Sequence, residues 1–223
     1  TCRWQPYVPG VSEPPRAFVR RVADAGAKHV ALEHLKLPVE KNNPLWSKLV
    51  AGAGRDFRAD YAGARLDGRE LVLPSEVKLP TILEAREAAR AAGVSFGAAD
   101  NEFQYLSDSD CCCSGVDQFP GFDGWFKHQV AYAVRRCRGG RIVYGASAGG
   151  WTPRGSVERW LNSHSRIGGL GAEGATLEEH IRYRWNDPTS VFSPASFYGV
   201  EPCEEFTPAG FRVYRWREEA RTL

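Results

Sequence analysis

Trp4-Gln5-Pro6-Tyr7-Val8-Pro9-Gly10 is a short apolar run closed by a Pro-Gly turn, and His29-Val30-Ala31-Leu32 is a second short run further on. Between them Ser12 and Pro14-Pro15 open a helical stretch in which Phe18, Val19 and Val22 share a face up to Gly26. The order is strand, helix, strand. In a parallel sheet this order requires a right-handed crossover, so the opening predicts an α/β fold.

Beyond this unit the pattern continues in kind. Leu45 to Tyr61 predicts one or two short helices, and Asp67-Gly68 between Leu66 and Leu71-Val72-Leu73 predicts a hairpin. A helix is expected from Pro80 to Ala92, with Ile82, Ala85 and Ala89 on one face and Gly93 as its stop. Val94 to Ala99 then reads as a buried strand that ends at Asp100-Asn101-Glu102. A further helix is expected from about Asp123 to Arg136, its stripe of Phe126, Val130, Val134 and Cys137 making Cys137 a core residue rather than a ligand. Arg141 to Tyr144 reads as a strand, Gly145 to Gly155 as a loop and Val157 to Leu161 as a short helix. Thr176-Leu177-Glu178-Glu179 is a capping box opening a helix with Leu177, Ile181 and Trp185 inward. The aromatic, Pro-punctuated tail from Phe192 to Trp216 reads as a layer packed over a core, with the softest domain boundary near Gly139-Gly140.

Composition bounds the function. The 223 residues carry 29 Lys and Arg against 27 Asp and Glu, with the signs interspersed, so no nucleic-acid partner is indicated. No apolar run approaches the length of a membrane helix, and Thr1-Cys2-Arg3-Trp4 has no signal-peptide core, so a soluble cytoplasmic protein is expected. Six cysteines are too few for a disulfide scaffold, and three of them are consecutive. The chain contains no Met, not even an initiator, so a fragment of a longer reading frame is expected.

Two constellations could carry chemistry. Asp100, Asn101 and Glu102 stand at the carboxyl end of an expected strand, where α/β enzymes place their reacting groups; the plainer role is to brace the loop or cap the next helix. Cys111, Cys112 and Cys113, flanked by Asp108, Asp110 and Asp117, could hold zinc or an iron-sulfur cluster, although three adjacent residues cannot all point one way. Glu33, His34 and Lys36 form a similar group at the end of the second strand, with His34 a base, a ligand or simply hydrogen-bonded. Two pattern matches carry little weight. Gly169 to Gly174 fits G-x-G-x-x-G with no preceding strand, and Gly145 to Gly149 fits G-x-S-x-G with neither a following helix nor a later His in the required order.

Pro6-Tyr7-Val8-Pro9-Gly10-Val11-Ser12-Glu13 resembles the fifth-strand G-x-I-x-G-x-x-E pattern of radical S-adenosylmethionine (radical SAM) enzymes, with Pro6 at the first Gly and Val8 at the Ile. Lys28 to Leu37 resembles the next barrel strand, and Ala98 to Phe103 and Cys111 to Gly115 resemble late-barrel segments of that family. The resemblance covers about the first 140 residues. It implies that residues 1–138 are the carboxyl-terminal half of a partial TIM-like β/α barrel and that 139–223 are an irregular, aromatic-rich carboxyl-terminal extension. It also implies S-adenosylmethionine and a [4Fe-4S] cluster as cofactors, with Val8, Gly10 and Glu13 at the adenosyl wall. The family's C-x-x-x-C-x-x-C and Gly-Gly-Glu segments do not occur in this chain, so alone it would not cleave S-adenosylmethionine.

The parent is therefore expected to generate a 5′-deoxyadenosyl radical that acts on an unidentified small molecule or peptide, with Asp100, Asn101 and Glu102 facing substrate. Cys111, Cys112 and Cys113 would hold an auxiliary iron-sulfur cluster or zinc, or quench a radical. The rivals are a zinc-dependent hydrolase or isomerase of TIM-like fold, using Cys111 or Cys112 with Asp100 or His34, and a non-catalytic binding domain whose aromatic tail covers a groove.

Overall fold

The computed structural model describes residues 1–40, 43–56, 58–67, 70–122, 129–137, 140–145, 177–191, 193–220 and 223. They form a mixed α/β structure with three small sheets and no closed barrel among the described residues. The chain divides into two compact units, Thr1–Gly115 and Val116–Leu223. No helix among the described residues is long and apolar enough to cross a membrane.

In the first unit β1 (Cys2–Tyr7), β2 (His29–His34) and β6 (Ser95–Ala98) make a parallel sheet in the order β1-β2-β6. The register sets Arg3 beside Ala31, Trp4 beside Leu32, Val30 beside Phe96 and Ala31 beside Gly97. The crossovers are α1 (Pro15–Asp24) and α3 (Ser75–Ala91), which pack on each other. Alternation along the strands sends Trp4, Tyr7, Val30, Leu32, Phe96 and Ala98 to one face, where all are buried. Phe18 of α1 stacks on Trp4 there at 3.8 Å. Each buried side chain of this size contributes about 1.5–3 kcal/mol, so this face supplies the unit's main cohesion.

Between β2 and α3 the chain adds β3 (Leu37–Pro38), α2 (Pro44–Ala53), β4 (Arg65–Asp67) and β5 (Glu70–Val72). The expected hairpin is present, with Leu66 opposite Leu71. Helix α2 starts at Asn43, whose side chain accepts from the Leu45 N–H, and stops at Gly54 in the left-handed region. Leu37, Trp46, Tyr61 and Leu73 form a second buried cluster.

Helix α3 begins at Ser75, five residues before the Pro80 start expected from sequence. Pro80 is exposed, and its ring removes one helical hydrogen bond. The inward stripe of Ile82, Ala85 and Ala89, all fully buried, outweighs that loss.

The second unit holds α4 (Val130–Arg136), β7 (Arg141–Ile142), α5 (Leu177–Asn186), β8 (Val200–Phe206) and β9 (Arg212–Trp216). Gln129 is extended, so α4 starts at Val130; residues 123–128 of the expected helix lie outside the described residues. Cys137, expected in the core, is half-buried with its thiol directed at the Val143 carbonyl at 3.7 Å. Strands β7, β9 and β8 form an antiparallel sheet in that order. The tail expected as an irregular layer is thus partly a β-ribbon. Pro202 lies within β8, which is an edge strand among the described residues, where Pro is tolerated, and the pairing is irregular from Pro202 to Phe206. Trp185, Tyr144, Phe211 and Tyr214 pack edge-on or stacked, and the Trp185 indole N–H donates to the Arg212 carbonyl at 2.6 Å. The G-x-G-x-x-G stretch, the helix expected at 157–161 and all but the first residue of the G-x-S-x-G stretch lie outside the described residues.

Candidate functional site

A buried charged network closes the carboxyl end of the parallel sheet. Strand β2 delivers His34, the turn after β6 delivers Asp100, and the 3-10 turn Asn101–Leu106 brings Glu102 back towards the first turns of α3. The His34 Nδ1 lies 2.7 Å from Asp100 Oδ2, and that same oxygen accepts from the His34 backbone N–H at 3.3 Å. Because a carboxylate only accepts, Nδ1 carries the proton. Lys78 of α3 donates to Asp100 Oδ1 at 3.4 Å and to Glu102 Oε1. The Ser75 hydroxyl is 3.4 Å from the same Glu102 oxygen.

The side chains of His34, Asp100, Lys78 and Glu102 are 1%, 2%, 2% and 5% exposed. Four titratable groups this deep are costly unless each is paired, because removal from water penalises the charge. Two carboxylates meet one ammonium and one imidazole, so every charge here has an opposite or polar partner. Burial opposes ionisation of Asp100, but the His34 hydrogen bond and charge and the Lys78 ammonium outweigh it and hold the carboxyl below the ordinary range. Tyr7 sets its ring edge-on to the imidazole at 5.1 Å. Tyr61 donates its hydroxyl to the Leu35 carbonyl, and burial with the charges of Asp60 and Asp100 pushes its phenol upward. The His34 Nε2 is buried and has no hydrogen-bond partner among the described residues.

Of the residues expected from sequence, Asp100 and Glu102 join this network, and Asn101 does not. Asn101 is exposed and accepts from the Gln104 amide at 3.2 Å. Val8 is half-buried against the Leu37–Tyr61 cluster, and its N–H donates to the Ser12 hydroxyl at 2.8 Å. Gly10 has a φ of 67°, and a Cβ there would stand 3.0 Å from the Arg55 guanidinium. Glu13 forms a surface pair with Arg21 at 2.6 Å.

The cysteines lie on the other face of the sheet. Gly97 points to that face, where a Cβ would stand 1.8 Å from the Cys112 carbonyl oxygen, so only Gly lets the loop come this close. His29 Nε2 is 3.0 Å from the same oxygen; a carbonyl only accepts, so this nitrogen donates. Cys111 Sγ contacts the Ser114 hydroxyl at 2.9 Å, and Cys112 Sγ contacts Cys113 Sγ at 3.6 Å. The hydrogen bond from Cys112 holds the Cys113 thiol down at about 6; burial and Glu33 oppose the shift, and Arg3 assists it. The same contact, with burial, pushes the Cys112 thiol up. Among the described residues no group of three or more His, Cys, Asp or Glu is placed to hold a metal ion.

Sequence reasoning missed Lys78, Ser75 and His29 as site residues. Lys78 had a signal. Positions 78, 82, 85 and 89 form one helical stripe, and extending the apolar stripe back by one turn lands on Lys78. A lysine on an otherwise apolar face demands a buried anion, and Asp100 and Glu102 are that anion.

Comparison with known protein families, with curated proteins and with solved structures finds no match to this chain.

Proposed function

We propose that this chain is the carboxyl-terminal half of a partial TIM-like β/α barrel, with its extension, from a radical SAM enzyme. The observation that supports the reading is the β1-β2-β6 parallel sheet with α1 and α3 on one face, whose strand ends gather Tyr7, His34 and Asp100. On this reading the face bearing Arg3, Glu33, Gly97 and the cysteine loop is the barrel interior. Asn101 faces substrate, while Asp100 and Glu102 are positioning residues that lock the strand ends through His34 and Lys78.

The residues present do not fit the cofactors. No C-x-x-x-C-x-x-C occurs among the six cysteines, Arg55 occupies the space beside Gly10, and Arg21 engages Glu13. No step is therefore assigned through the cluster or S-adenosylmethionine, and the cluster ligands would come from outside this chain. The test is anaerobic preparation of the reading frame that contains this chain. About four irons and four sulfides per chain, with release of 5′-deoxyadenosine from S-adenosylmethionine, are expected. Iron-free protein that leaves S-adenosylmethionine intact sinks the reading.

His34 favours a second reading, a zinc-dependent hydrolase or isomerase. Its imidazole is anchored at Nδ1 by a carboxylate and has no partner at Nε2 among the described residues, the arrangement of a zinc ligand. The cysteines lie on the other face of the sheet and no set of three ligands surrounds it among the described residues, so a zinc ion would take its other ligands from beyond them. Zinc retained by the purified chain and lost in His34→Ala would support it; zinc-free protein would end it.

A further inference from the structure

Beyond the proposed function, we infer that Cys112 and Cys113 are a redox-active vicinal dithiol that closes to a disulfide by exchange with a low-molecular-weight disulfide, Cys113 attacking and Cys112 resolving.

Four observations carry this. The two sulfurs are in contact at 3.6 Å. The loop that bears them is fixed from beneath, because His29 grips the Cys112 carbonyl and Gly97 lets the backbone settle onto the sheet. Cys111 is engaged with Ser114, which separates it from the pair. Finally, both thiols are only half-buried, and the guanidinium of exposed Arg3 acts on Cys113, which gives a small anionic disulfide access and attraction. The Cys112 backbone is held on the sheet while Arg3 acts on Cys113, so an incoming anionic disulfide meets Cys113 first and Cys113 is the attacking sulfur.

The chemistry balances without a metal. The Cys113 thiolate attacks one sulfur of the small disulfide, breaking its S–S bond and releasing one thiolate. Cys112 then loses its proton to that leaving thiolate and attacks the Cys113 sulfur, forming the Cys112–Cys113 bond and releasing the second group as a thiolate, which takes up the proton that Cys113 had given to water. Two protein thiols are oxidised, and one small disulfide is reduced to two thiols. Adjacent residues across a trans peptide have Cα atoms about 3.8 Å apart, short of the usual disulfide span, so the closed ring is strained and readily reduced. The couple is therefore reversible under mild conditions rather than structural.

The test uses the 223-residue chain with glutathione disulfide at neutral pH, followed by acid trapping, alkylation and peptide mass spectrometry. The expected result is loss of two of the six thiols, both in the peptide carrying Cys112 and Cys113, which becomes lighter by two hydrogens and recovers with a mild dithiol. Cys112→Ser is expected to stop at a glutathione adduct on Cys113, and Cys113→Ser to slow thiol loss in that peptide by about tenfold. Circular dichroism confirms that each variant is folded; should Cys113→Ser unfold, the position of the adduct in Cys112→Ser decides. Stable adducts without ring closure, closure that involves Cys111, or oxidation confined to Cys2, Cys137 and Cys203 would each overturn the proposal.

Discussion

Lys78 and Asp100 show how much of this molecule rests on single buried charges. Lys78→Met keeps the side chain's bulk and removes the one ammonium that, among the described residues, touches both carboxylates, so Asp100 and Glu102 are left facing each other without it. Breaking a buried pair from one side costs about 3–5 kcal/mol, which urea unfolding of the variant would register as a lower midpoint. Asp100 makes a pH prediction. Its folded pKa lies below its unfolded value, so in the acid window the unfolded chain binds the extra proton and stability rises with pH. The contribution is fully present above the ordinary carboxylate range and is lost as pH falls through the folded value. Urea midpoints of the wild type should therefore fall between neutral and acid pH more steeply than those of Asp100→Asn.

At the scale of elements, the loop-on-sheet contact is the feature with the least tolerance. Gly97→Ala sets a methyl against the Cys112 backbone carbonyl and 2.9 Å from His29 Nε2, which is hydrogen-bonded to that same carbonyl. A loss of about 1–3 kcal/mol is expected, with faster alkylation of Cys112 as the loop lifts. Unchanged stability and alkylation would show that the loop yields without cost. The same region shows what the sequence could convey. The first strand, helix and second strand were legible because Pro-Gly, Pro-Pro and Gly26 punctuate them and Phe18, Val19 and Val22 hold helical spacing. Asp100 and Glu102 were legible as a group because they come directly after a strand of small and apolar residues. Their partner was hidden because Pro80 looked like a helix start, which placed Lys78 in a loop. His29 was hidden for a different reason. Its partner is a backbone carbonyl far along the chain, and nothing local records such a contact. Strand β8 was hidden because a Pro-punctuated stretch signals breaks, and nothing local shows that Pro202 sits on an edge.

For the molecule as a whole, two compact units in one chain predict how it is cut. The segment after Gly115 presents Phe119 and Phe122, 58% and 37% exposed, outside any α-helix or strand. Brief chymotrypsin treatment is expected to cut there first and to yield a fragment ending close to residue 115; first cuts within β2 or α3 would contradict the division. The parallel sheet of the first unit has two unlike margins. Along the outer side of β6, the Phe96 N–H donates to the Asp108 carboxylate at 3.0 Å, the Asp108 N–H returns a bond to the Phe96 carbonyl at 2.8 Å, and the Ala98 N–H donates to the Ser107 hydroxyl at 3.0 Å. Those bonds occupy both outward N–H groups of that margin. On β1 no strand pairs with the outer margin among the described residues, so the sheet can grow in one direction only. A sheet with one open margin can pair only once. Self-association through this sheet is therefore expected to stop at pairs, and sedimentation at rising concentration should show monomer giving way to dimer without a ladder of larger species.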